Sequence, residues 1–158
     1  MKSVIRLADW VFSVDIKATS ERTQRYSLDH CTCPYCQNYY ETLEQTHPAL
    51  GPVLGKFGID LNGPSELMPL EPTLFMACYR VTGQILEQGR ARLHIDGIPF
   101  RPENADDDTF FLWIGELALP WVQKIAMEDV ISPANQPEFL ERMEQKWLEL
   151  QMDDWNCM

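Results

Sequence analysis

The sequence predicts an α+β domain in two layers, a mainly antiparallel sheet with helices packed on one side. Three observations predict it. Several short stretches alternate apolar and polar residues with a period of two. The links between some of them are hairpin-sized, and regular strand–helix–strand units are absent. Two other stretches carry apolar residues at helical spacing instead. All 158 residues are read as one domain, with a tail over 152–158 short enough to fray.

The first strand is "LADWVFSVDI". Ala8, Trp10, Phe12, Val14 and Ile16 fall on one side of it, Asp9, Ser13 and Asp15 on the other. "KATSERTQRYSLDH" has no such pattern and reads as a polar excursion holding a turn or short strand. A helix begins near Pro34, because a proline at the first helical position lacks only an N–H that would have no partner there. Cys36, Tyr39 or Tyr40, and Leu43 continue it. Pro48 opens a short second helix with Leu50, Val53, Leu54 and Phe57 as its stripe and Gly58 as its stop.

Residues 59–76 form a connection rich in Pro and Gly, with a short strand near "ELMPLE". "YRVTGQI" and "ARLHIDG" follow as strands, and "LEQG" between them is short enough for a hairpin. "RPENADDD" reads as a charged loop. "TFFLWIGELAL" is apolar throughout, as a central strand covered on both faces would be. "PEFLERMEQKWLEL" is an amphipathic helix, with Phe139, Leu140, Met143, Trp147 and Leu150 on one face.

Composition narrows the function classes. Apolar residues make up 45% of the chain, enough for a real core. Thirteen basic against 24 acidic residues leave a formal charge of −11, which opposes binding to nucleic acid and to anionic lipid. No apolar run reaches the roughly 18 residues that span a bilayer, and Arg6 and Asp9 interrupt any signal-peptide core in "MKSVIRLADW". The expected location is the cytoplasm, where the five cysteines would stay reduced.

Chemistry concentrates in "DHCTCPYCQNYYE", where three readings stand side by side. In the first, Cys33 at a helix start is a nucleophilic thiol and Cys36, one turn later, its resolving partner. In the second, Cys31, Cys33 and Cys36 give three soft ligands to a structural zinc, and His30, His47 or Cys78 completes the tetrahedron. In the third the cysteines only pack, with Cys36 toward the core, and Tyr26, Tyr35, Tyr39 and Tyr40 present an amphipathic surface to a protein partner or a second copy of the chain. The leading expectation is the third, a non-enzymatic binding protein with its surface near residues 26–40 and no cofactor.

Two resemblances attach to these residues. "CPYC" resembles a glutaredoxin active site over four residues only. The preceding "QRYSLDHCT" is no buried strand, and Pro69 or Pro99 is the available choice for the proline that faces the thiols in that family. More broadly, Cys31, Cys33, Cys36 and Asn38, followed by Leu54, Gly58, Ile59 and Asp60, resemble a family of small uncharacterised bacterial proteins with a C-x-C-x-x-C-x-N motif. That resemblance covers roughly residues 10–120. It implies that the motif belongs to the fold, and it brings no activity or ligand with it.

Other polar clusters read as surface. Arg90, Arg92, His94 and Asp96 share one face of a strand, with His94 and Asp96 about 6–7 Å apart. Glu103, Asp106, Asp107 and Asp108 lack the EF-hand pattern, and no phosphate-loop, zincin or nucleophile-elbow motif is present.

Overall fold

In the computed structural model the described residues are 2–28, 31–71 and 73–125, with Gln145 and Leu148. Among them ten elements run in the order β1 (Ser3–Leu7), β2 (Trp10–Val14), α1 (Ile16–Leu28), α2 (Pro34–Thr46), α3 (Leu50–Gly55), β3 (Glu66–Glu71), β4 (Leu74–Glu87), β5 (Leu93–Ile95), β6 (Ile98–Asn104) and β7 (Thr109–Ala118). The seven strands form one antiparallel sheet in the order β1-β2-β4-β7-β6-β5, with β3 also on β4. The α+β expectation holds: the helices lie against one face of the sheet, which is not a closed barrel.

β4 organises the sheet. Its first half pairs with β3 and its second half with β2, while β7 takes the opposite edge. Gly83 marks the hand-over. A Cβ there would sit 2.0 Å from the Ser13 carbonyl oxygen, so only glycine lets β2 approach.

Period-two alternation then sorts side chains by face. Phe75, Ala77, Tyr79 and Val81 join the main core with Tyr35, Tyr39 and Leu43 of α2 and Leu50 and Leu54 of α3. Met76 and Cys78 fall on the other face with Met68 and Trp113.

Four expectations change. The first strand is a hairpin. Ala8 (φ 51°) and Asp9 form its turn, Leu7 pairs with Trp10, and Ile16 opens a helix instead of ending a strand. The polar excursion is α1. Asp15 starts it by accepting from the Ala18 N–H at 3.0 Å. Its buried residues are Thr19 and Thr23, so it docks by hydrogen bonds and shows no apolar stripe. The Thr82 N–H donates to Thr19 Oγ1 and the Asp60 N–H to Thr23 Oγ1, both at 3.0 Å.

The third change concerns the hairpin. β4 and β5 do not pair, and β5 folds back on β6. Asp96 (φ 52°) and Gly97 (φ 81°) form the two-residue turn, whose positive φ angles match a type I′ hairpin. Asp96 therefore leaves the strand that carries His94. Fourth, Arg101–Asn104 extends β6, which leaves only residues 105–108 as a loop.

β7 lies between β4 and β6, largely buried, as expected for the apolar run. The short helix also holds, with Gly58 in the left-handed region (φ 85°) just past it. The expected helix from 137 to 150 and the tail 152–158 lie outside the described residues, Gln145 and Leu148 excepted.

Candidate metal centre

α2 places the cysteines. Cys33 is its N-cap residue, with extended backbone (φ −64°, ψ 155°), and Pro34 follows inside the first turn. Cys36 then lies one turn along, and Cys31 returns alongside. The Cys33 N–H donates to the Cys31 sulfur at 3.4 Å. The three Sγ atoms all lie within 4.8 Å of one another. Cys31 is exposed, and Cys33 and Cys36 are partly buried. No disulfide joins the described cysteines.

The electrostatics are asymmetric. The Cys36 thiol, donating to the Cys33 sulfur, holds Cys33 down at about 5. Partial burial pushes the other way, and the N–H groups of Cys36 and Tyr35 and the Cys31 thiol assist the lowering. No side-chain capping bond closes on the helix, so those N–H groups act on the sulfur at longer range. Cys36 is pushed well above the ordinary thiol range, first by its bond to Cys33 and then by burial. Tyr40 is raised as well, by burial and by the neighbouring sulfurs. The cluster by itself therefore supports one thiolate, with its proton-bearing partner beside it.

The other expected ligands are elsewhere. Cys78 is buried on the opposite face of the sheet from α2 and is not part of the cluster, because its even position on β4 turns it away. His47 lies at the far end of α2, where its Nε2 meets the Ala118 carbonyl oxygen at 2.8 Å. His30 lies outside the described residues.

The four tyrosines do not make one surface. Tyr39 is fully buried, and Tyr35 is 4% exposed and packs edge-on against Trp121 at 5.6 Å. Tyr79 gives its single proton to the Leu61 carbonyl at 2.6 Å, so Tyr39 must donate to Tyr79 across the 2.7 Å between their hydroxyls. Tyr26 on α1 and Tyr40 are partly exposed. The reason is the helical period: Tyr35 and Tyr39, four apart, point at the sheet together.

Asn38, the last residue of the spacing motif, is fully buried. Its Nδ2 donates to the Pro120 carbonyl at 3.0 Å, and its Oδ1 accepts from the Val122 N–H at 2.9 Å. It ties the cysteine helix to the chain leaving β7. Gln123 adds a bond to Glu41 at 3.0 Å.

The acidic loop is organised by its own hydrogen bonds. Asp106 accepts from the Asp108 N–H, the Thr109 hydroxyl and Arg80, and the first of these leads in holding its carboxyl below the ordinary range.

Comparison with protein-family models, with curated proteins and with solved structures finds no match. What the geometry does define is a three-cysteine cluster capable of coordinating a metal ion. No helix among the described residues is long and apolar enough to cross a membrane.

Proposed function

We propose that the chain is a structural zinc-binding protein whose ion is held by Cys31, Cys33 and Cys36. The observation that carries this reading is the convergence of the three Sγ atoms within 4.8 Å. Tetrahedral zinc with Zn–S bonds of about 2.3 Å sets its sulfurs about 3.8 Å apart. Side-chain rotation of about 1 Å covers the difference. Electrostatics favour the same reading. Three ionised sulfurs would repel one another in a chain of charge −11, and a divalent cation is what lets all three ionise together. The Cys33 N–H donates to the Cys31 sulfur at 3.4 Å, a backbone bond of the kind that orients a sulfur ligand.

The remaining motif residues serve the fold, as a structural centre needs. Asn38 clamps the exit from β7. Asp60 shapes its own turn, accepting from the Asn62 N–H at 2.9 Å. The fourth ligand lies outside the triad, and an ion left open there would carry water.

Protein purified without an affinity tag or chelator should contain about one zinc per chain. The motif thiols should react with a thiol reagent only after chelation. Metal-free protein whose thiols react at once after gentle purification and zinc resupply would sink the proposal.

Dithiol chemistry is the second reading. The observation favouring it is that Cys33 stands at the helix start with the Cys36 sulfur within 4.8 Å of its own, one turn along. On metal-free protein, alkylation of Cys33 by iodoacetamide should lose rate as pH falls through about 5. Cys36→Ala removes the main cause of that lowering, so the midpoint should climb toward the ordinary value of about 8.5. An unchanged midpoint would break the dithiol reading.

A further inference from the structure

Two of the three clustered cysteines are also placed to join each other. Cys33 caps α2 and Cys36 lies one turn along, with their Sγ atoms within 4.8 Å. Residues three apart on a helix hold their Cβ atoms about 5–6 Å apart. A disulfide needs about 3.5–4.5 Å between Cβ atoms and about 2.0 Å between sulfurs. Closing the pair therefore takes a backbone shift of about 1 Å. The Cys33 carbonyl is held in the helix by the Gln37 N–H at 2.9 Å, whereas the Cys33 N–H meets the Cys31 sulfur, outside the helical ladder. The shift falls on the chain entering the helix, and the ladder behind it stays closed.

The sulfurs are within reach of small solutes. Cys31 is exposed, and Cys33 and Cys36 are only partly buried. Redox-sensitive cysteines combine thiolate character, access and a resolving neighbour. A bound cation supplies the first by keeping the sulfurs ionised. The fold is insulated from what happens there. All three ligands come from residues 31–36, and none comes from the sheet. Tyr39 and Leu43 seat α2 on the main core, and Asn38 ties it to Pro120 and Val122 through bonds that involve no sulfur. Cys78 lies on the other face of the sheet and cannot intercept the pair.

We propose, on the footing of the zinc reading, that the cluster is a peroxide-responsive clip that exchanges its ion for a Cys33–Cys36 disulfide. The Cys33 thiolate attacks one oxygen of a hydroperoxide. An S–O bond forms, the O–O bond breaks, and the leaving hydroxide or alkoxide takes a proton from water. The Cys36 thiolate then attacks the Cys33 sulfur, forms the S–S bond and expels hydroxide, which solvent also protonates. Two electrons pass from the two sulfurs to the peroxide, and zinc keeps its charge throughout. Cys31 alone cannot hold the ion, so it leaves to water. A dithiol such as dithiothreitol returns the two electrons and restores the ligands.

The test uses the full chain, purified without tag or chelator and assayed for zinc before any oxidant is added. Hydrogen peroxide is then added in the presence of a chromogenic zinc indicator, and the product is mapped by mass spectrometry. About one zinc should be released per disulfide formed. The disulfide should join Cys33 to Cys36, leaving three of the five thiols titratable in denaturant. Dithiothreitol with zinc resupply should restore both thiols and the ion. Cys78→Ser should respond as the wild type does. Cys31→Ser keeps the pair, so it should form the same disulfide whether or not it holds zinc. A zinc-loaded protein that keeps its ion and all five thiols would overturn the proposal. So would a disulfide through Cys31, the absence of a disulfide in Cys31→Ser, or zinc lost only to sulfinic acids that dithiothreitol does not reverse. Each of these outcomes leaves the zinc reading standing. Protein that holds no zinc before the oxidant is added fails the zinc reading, and the clip with it, at an earlier step of the same experiment.

Discussion

Cys33→Ser should release the ion and lower the midpoint of thermal unfolding by roughly 4–16 °C. Metal that binds only the folded state stabilises it by about 2–4 kcal/mol at free concentrations well above its dissociation constant. For a domain of this size each kcal/mol is worth about 2–4 °C. The effect is partial because the sheet has its own core: Phe12, Tyr39, Phe57, Phe75, Tyr79 and Phe110 are all fully buried without reference to the cysteines. Chelated wild-type protein should melt at the temperature of the variant, and chelator should move the variant no further. Cys78→Ser provides the contrast. Cys78 is buried on the other face of the sheet, so that change should cost packing while zinc stays at one per chain. Calorimetry with metal analysis reads all three. A Cys33→Ser protein that retains full zinc would refute the assignment.

The next largest effect is expected at Asn38. Asn38→Ala leaves the Pro120 carbonyl without its donor and the Val122 N–H without its acceptor, and it opens a small void beneath α2. Unmaking two half-buried hydrogen bonds costs about 1–3 kcal/mol. Asn38→Asp should be no milder. It retains an acceptor for Val122, but it loses the donor to Pro120 and places a carboxylate at a fully buried position. Denaturant unfolding should show a lower midpoint at an unchanged slope. Zinc should remain in both variants at low temperature, because Asn38 holds the chain leaving β7 and contributes no ligand. A loss below 0.5 kcal/mol, roughly that of an ordinary surface substitution, would show that the clamp does little.

Much of the fold was legible where one physical signal acts alone. Trp10, Phe12 and Val14 alternate because one face of β2 is buried, and all three are core residues. α2 was marked by Pro34 and by the lack of breakers after it, α3 by Gly58. The apolar β7 announced its place between β4 and β6. α1 was illegible because its sheet-facing side carries Thr19 and Thr23, which dock by hydrogen bonding and mimic a solvent-exposed face. Asp15 as an N-cap was the available signal. The β5–β6 hairpin carried its signal in Asp96–Gly97, the pair that "ARLHIDG" as a single strand absorbs. β1 was hidden because its residues are only partly buried or exposed, as on a sheet edge.

The site divides in the same way. Local spacing by itself put Cys31, Cys33 and Cys36 within six residues at a helix start, where a metal clip was one of three readings, and the structure showed their sulfurs converging. The two periodicities by themselves determined the α+β class. Tertiary structure alone decided that Cys78 faces away, that His47 serves β7, and that Tyr35 and Tyr39 are core where a surface was expected. It alone brought Asn38 to Pro120 and Val122. Each of these depends on which face of a strand or helix meets another element far along the chain. A face is set by register and packing, and neither is written in the local pattern of residues.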